Sequence, residues 1–122
     1  MLIWVIVAGA TGALTRVLVD YLIVTRISHE FPWSTFLINS FGAYTIGVAY
    51  GTGQLLPEYE LYMTIIKMGY LGSFTTFSTF SLQWMMSSWE GHMRVAMYYI
   101  LASLFTGVLA TIAGWQTVAY IL

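Results

Sequence analysis

Apolar residues run through this chain in four long blocks, and most of the charged residues are gathered between them. The first block extends from about Leu2 to Val24 and is closed by Arg26, His29 and Glu30. Pro32 opens a second, from about Trp33 to Gly53, because proline is tolerated in the first turn of a helix. Pro57, Glu58 and Glu60 separate this from a third block, Leu61 to Trp89, and Glu90, Gly91, His92 and Arg94 separate that from a fourth, Val95 to Leu122. Each block reaches the ~20 residues that a helix needs to cross a hydrocarbon core. The pattern predicts an all-α integral membrane protein, one domain over residues 1–122 with four transmembrane helices. Short linkers imply that sequence neighbours run antiparallel. No Lys or Arg precedes the first block and it continues past Gly12, so it reads as a retained helix, not a signal peptide.

Composition supports lipid as the solvent. Of 122 residues, 59% are hydrophobic and 7% charged, against roughly 25% charged in soluble domains. Mean hydropathy is +0.79. A soluble domain this small would bury only about 60% of its surface and could not hide so much apolar area. The net charge of −1 gives no sign of a nucleic-acid partner. There is no cysteine, which removes disulfides and thiolate metal sites. His29 and His92 lie in polar stretches and read as loop residues. No histidine–carboxylate or paired-carboxylate cluster falls within one span, so an enzyme is not expected. Lys and Arg divide unevenly. The short linker around Pro57, on the side of the termini, has none. The opposite side carries Arg26 and Arg94, with Arg16 leaning the same way and Lys67 leaning toward the termini. This bias of about two charges favours termini outside and is small enough to permit insertion both ways round.

Within the spans, polar and small residues mark candidate chemistry and packing. Ala43, Gly47 and Gly51 recur every fourth residue, as do Ser103, Gly107 and Thr111. Such stripes let helix backbones approach closely in lipid. Asn39, in the middle of the second span, is either an interhelical hydrogen-bond partner or part of a polar lining. Arg16 and Asp20, at i and i+4, read as a structural ion pair, and Lys67 as a snorkelling side chain. Trp33, Trp84, Trp89 and Trp115 lie near span ends, as an aromatic belt would.

The third block is unusual. As one helix it would be roughly 44 Å long, longer than a core of about 30 Å. It contains "GYLGSFTTFSTFS", in which six hydroxyl residues and three phenylalanines fall between Ser73 and Ser81. Glycines permit the backbone to leave helical geometry, and hydroxyls can satisfy the groups a break sets free. The segment is therefore either a broken helix lining an ion site or a polar packing face. A break near its middle is the expectation, with Gly69 and Gly72 just before the hydroxyl-rich run.

Three stretches together resemble one family. "GATGALTR" (Gly9–Arg16), "STFLINSFGAYTIG" (Ser34–Gly47) and, most specifically, "GSFTTFSTF" (Gly72–Phe80) occur in the order found in the fluoride channels of the Fluc (CrcB) family, and the resemblance covers nearly the whole chain. It implies a fluoride-selective channel in the cell membrane that passively exports fluoride and protects the cell from it. It implies an antiparallel dual-topology dimer, with a second copy of this chain or a close paralogue, and a structural sodium ion (Na+) at the dimer centre. Main-chain carbonyls of Gly72 and Thr75 would bind the sodium. Asn39, Phe77, Phe80, Tyr99, Ser103 and Thr111 would line the fluoride path, with Thr76 and Ser78 of the same signature beside them and Arg16 in a structural role. Ser73 and Gly107 depart from the family pattern, which often has glycine at the first position and serine at the second. The alternative is a small dual-topology multidrug or cation exporter. Proton-coupled cation export wants a carboxylate deep in a span, whereas Asp20, Glu30, Glu58, Glu60 and Glu90 lie at span ends or in linkers. A structural subunit of a larger complex would account for the stripes but not for the Phe/Thr/Ser segment.

Overall fold

A computed structural model of the chain describes residues 2–26, 33–75 and 77–122, with the side chains at 77–79, 83 and 87 outside that description. Helix α1 is Leu2–Arg26 and α2 is Trp33–Leu55. A 3-10 turn, Pro57–Tyr59, leads into a composite third segment. This consists of α3 (Glu60–Ile65), a π-helical turn (Ile66–Leu71), α4 (Gly72–Phe74) and, after a break, α5 (Phe77–Trp89). Helix α6 is Met93–Ile121. Among the described residues every regular element is helical. Two helices, α1 and α6, are both long and apolar enough to cross a bilayer, each with a mean hydropathy of 1.9 over its most apolar stretch. The glycines, hydroxyls and amides of α2 lower its hydropathy, although its 23 residues span roughly 35 Å.

The turn between α5 and α6 depends on Gly91, whose φ of 84° is open to glycine at no steric cost. Its N–H bonds back to the Ser88 carbonyl at 3.3 Å. His92 lies in this linker, 3.9 Å from the Glu90 carboxylate; the linker containing His29 is outside the described residues.

Helices α2 and α6 form the most extensive packing in the chain, and their contacts show that they run parallel. The same sequence offset separates Thr35 from Tyr99 and Gly47 from Thr111, two pairs that meet across the interface. A Cβ on Gly47 would strike the Thr111 carbonyl, and one on Gly114 would strike the Tyr44 carbonyl. Each glycine thus admits the other helix's backbone. The Tyr44 hydroxyl donates to Thr117 Oγ1 at 3.0 Å, and Trp115 Nε1 donates to Gln54 Oε1 at 3.1 Å. The stripe on α2 works as expected at Gly47 and Gly51. The stripe on α6 does so only at Thr111: Gly107 has nothing within 4 Å of where a Cβ would be, and α6 meets α2 through the Thr111 backbone together with Gly114 and Val118.

The third segment docks on α1 by the same device. A Cβ on Gly69 would lie 2.7 Å from Ala8 Cβ and 2.8 Å from the Val5 carbonyl, and one on Gly12 would strike Tyr70 O and Ser73 Oγ. Ser73 Oγ donates to Gly9 O at 2.6 Å, and the Tyr70 hydroxyl donates to Thr15 Oγ1 at 2.9 Å. Asp20 accepts from Ser34 of α2, and among the described residues Arg16 and Asp20 form no ion pair. A cross-helix hydroxyl takes the carboxylate instead. Lys67 reaches Glu60 at 3.7 Å and lies over the Tyr50 ring at 5.3 Å, so its charge is held within the protein. Among the described residues α1 and α6 do not touch.

Much apolar surface stays outside. The single chain exposes 7997 Å², where a folded soluble monomer of this mass exposes about 6,600 Å². Leu101, Leu104, Phe105 and Val108 are all exposed on α6.

Candidate functional site

The break in the third segment falls at Thr75. Its φ/ψ of −82°/157° is extended, while Gly72, at −63°/−32°, remains helical. The glycines are therefore not where the chain leaves the helix; Gly69 is used for close packing on α1. The Thr75 N–H still bonds to Leu71 O at 3.1 Å, and its hydroxyl bonds to the same carbonyl at 3.0 Å. Beyond that point the α-pattern stops, and the last carbonyls of a helix have no intrahelical partners. Gly42 of α2 holds the break from the other side, because any Cβ there would strike Thr75 Cγ2. The π-helical turn just upstream is a feature found often at functional sites.

Downstream of the break, α5 presents Phe80 to α6. The Phe80 ring lies 4.8 Å from Tyr99, centroid to centroid, tilted by 51°. Tyr99 is fully buried and its hydroxyl is hydrogen-bonded to Thr35, itself 3% exposed. Thr35 went unnoticed in the sequence: only the register between α2 and α6 brings it to Tyr99. One turn further along both helices, at the same offset, stand Asn39 and Ser103. Asn39 is half-buried. Ser103 Oγ is buried and has no hydrogen-bond partner among the described residues. Thr111 lies two turns beyond Ser103 and bonds back to Gly107 O at 2.9 Å. It borders a groove of about 510 Å³ that also contains Tyr50, Gln54, Lys67 and Trp115.

The structure thus brings Phe80, Tyr99, Ser103, Asn39 and Thr111 along one pair of parallel helices with α5 beside it. Phe77 and Ser78 have backbones in the first turn of α5, but their side chains are outside the description, and Thr76 lies outside the described residues. Gly72 and Thr75 sit together at the break. Arg16 is half-buried on α1, next to Thr15, whose hydroxyl accepts from Tyr70 of the third segment. The apolar cleft of about 350 Å³ between α1, α2 and the π-helical turn, lined by Ile38, Phe41, Tyr70 and Phe74 among others, contains no residue of the expected path. Among the described residues no group of three or more His, Cys, Asp or Glu is placed to hold a metal. A cation here would have to use backbone oxygens.

The fold and site define an all-helical protein of membrane character. It has an interrupted helix next to a file of aromatic, hydroxyl and amide side chains. The profile of the family described as "CrcB-like protein, Camphor Resistance (CrcB)" matches residues 3–115, and the chain belongs to that family. It is 36% identical to "Fluoride-specific ion channel FluC 4" of Brucella abortus, over 98% of this chain and 92% of that protein. It is 37% identical to "Fluoride-specific ion channel FluC" of Acidobacterium capsulatum, over 92% and 90%. It is 34% identical to "Fluoride-specific ion channel FluC" of Magnetococcus marinus, over 91% of each.

Proposed function

We propose that this chain is a subunit of a fluoride-selective channel of the cell membrane and that it is not an enzyme. The observation that carries the reading is the row of Phe80, Tyr99, Asn39 and Ser103, whose buried Oγ has no hydrogen-bond partner among the described residues, beside the break at Thr75; the relatives' names agree with it. A phenylalanine has a negative face and a positive edge, so ring edges can meet a small anion without holding it tightly. Hydroxyl and amide groups replace part of its water. Conduction needs binding strong enough to enter and weak enough to leave. Fluoride is the anion of a weak acid. The neutral acid enters cells from acidic surroundings and ionises, and a passive pore lets the negative interior drive the anion out.

The four helical segments, with the third composite, cross the membrane as a multi-pass unit. Two copies pair antiparallel, as the small Lys/Arg bias permits. The exposed apolar face of α6 and the open space at Gly107 support a second copy there. A Na+ ion at the dimer centre fits the residues present: the break frees carbonyl oxygens at Gly72–Thr75, and hard oxygens suit a hard cation. The carbonyls of Gly72 and Thr75 would hold it, and it would supply fixed positive charge near the anion. Ser73 bonds to Gly9 O and Gly42 fits against Thr75, so both keep these carbonyls in place. The test is efflux from liposomes containing the purified protein. Fluoride should leave far faster than chloride; equal rates from an assembled dimer would defeat the proposal.

A further inference from the structure

We infer that the indole N–H of Trp84 is a further anion-binding donor on this route, placed between the Phe80–Tyr99 contact and the mouth at the α5–α6 turn. The inference rests on the channel reading above. Two buried side-chain polar atoms lack a hydrogen-bond partner among the described residues: Ser103 Oγ and Trp84 Nε1. Leaving a buried donor unpaired forfeits its hydration with nothing in return, and native structures retain few such groups, commonly where a water or ion belongs.

The positions of these two atoms are related. Helices α5 and α6 are joined by the short turn at Gly91 and meet at Phe80 and Tyr99. Trp84 is one turn from Phe80 toward the turn, and Ser103 is one turn from Tyr99 away from it. The orphan donors therefore bracket the aromatic contact, about two helical turns or roughly 11 Å apart along the axis. Phe77, Phe80 and Trp84 stand at i, i+3 and i+7, on one face of α5.

Trp84 does not behave as a member of an interfacial belt. Such a residue keeps its N–H in the wet headgroup layer, and Trp89, 78% exposed, can do so. Trp84 is half-buried with its nitrogen shut away. An indole nitrogen only donates, so what completes it must be an acceptor. Exposed Arg94 just past the turn is offset by exposed Glu90 within it, so charge at this end does not choose the acceptor; the choice comes from Phe80, one turn along the same face, whose ring edge also suits an anion. On the channel reading the ligand is thus a small anion that accepts strong hydrogen bonds, met here before it reaches Phe80.

The test uses the whole protein in lipid nanodiscs with its five tryptophans labelled with 15N at the indole. Trp84→Phe assigns the resonance. Sodium fluoride is titrated against sodium chloride at constant ionic strength. The Trp84 indole proton should move downfield and saturate with fluoride, and stay still with chloride. In liposomes Trp84→Phe should slow fluoride efflux about tenfold, as loss of one hydrogen bond to a charge implies, while Trp89→Phe does not. A Trp84 resonance indifferent to fluoride, in a wild-type protein that conducts it, assigns the donor to packing or to the second copy and overturns the inference alone. Wild-type liposomes that retain fluoride overturn the channel reading itself. If Trp84→Phe fails to assemble, single Phe substitutions at the other four tryptophans assign the Trp84 resonance by elimination, and the wild-type titration then decides the matter.

Discussion

A methyl group on Gly47 tests whether α2 and α6 are held by direct backbone contact. In the structure that Cβ would strike the Thr111 carbonyl and lie 3.0 Å from the Trp115 backbone nitrogen. Both obstacles are main chain, so no side chain can swing away. Restoring ordinary contact at about 3.5 Å requires the helices to part by roughly 1 Å. The Tyr44–Thr117 bond, now 3.0 Å, would then pass beyond hydrogen-bonding range. Overpacking costs about 1–3 kcal/mol and the lost bond about 1 kcal/mol. Alanine recovers about 0.5–1 kcal/mol over glycine within a helix, which leaves a net loss of about 1–3.5 kcal/mol. Reversible unfolding in mixed micelles, followed by helical circular dichroism, measures it. Two further variants grade the response. Gly51→Ala meets Trp115 Cδ1 at 3.2 Å, a ring atom that can yield, and Val118 Cβ at an ordinary 3.4 Å, and should cost less. Gly107→Ala meets nothing within 4 Å and should leave the subunit's stability unchanged or raised. If Gly47→Ala proves as mild as Gly107→Ala, the close approach of α2 and α6 is not what holds the pair.

Asn39→Asp should cripple fluoride efflux while size-exclusion chromatography still shows the assembled dimer, since a carboxylate has no N–H to offer and repels an anion in a low dielectric; normal flux would return Asn39 to packing. Phe77→Ile and Phe80→Ile should each lower efflux with the fold intact, because isoleucine fills much of the volume but lacks a positive ring edge. For Phe80 the lost ring contact with Tyr99 should also cost about 0.5–1.5 kcal/mol in the unfolding assay. Ser73→Ala removes the donor to Gly9 O and should destabilise the protein by about 1 kcal/mol; no change would show that the hydroxyl does not secure the break to α1.

The sequence by itself determined the class of protein and named most residues of the candidate site. Lipid admits only helices and closed barrels, and continuous apolar blocks of ~20 residues or more, without the alternation of short barrel strands, can form only helices. The conjunction of glycines, hydroxyls and phenylalanines from Gly69 to Ser81 singled out the third segment as one that could be interrupted, because local backbone freedom and local hydrogen-bonding capacity are written in residue types. The tertiary structure decided where the interruption falls and what faces it. Gly69 and Gly12 could have been hinges, yet they are contact points between α1 and the third segment, and the extended residue is Thr75, against Gly42. Small residues at fourfold spacing state that a helix can be approached, not by which neighbour: Gly47 is used, Gly107 is not, and Gly114, outside either stripe, is. Thr35 became part of the site, and Trp84 left the aromatic belt, only once α2, α5 and α6 were in register. These assignments depend on contacts between helices distant in sequence, and such contacts arise from shape and packing rather than from the local pattern along the chain.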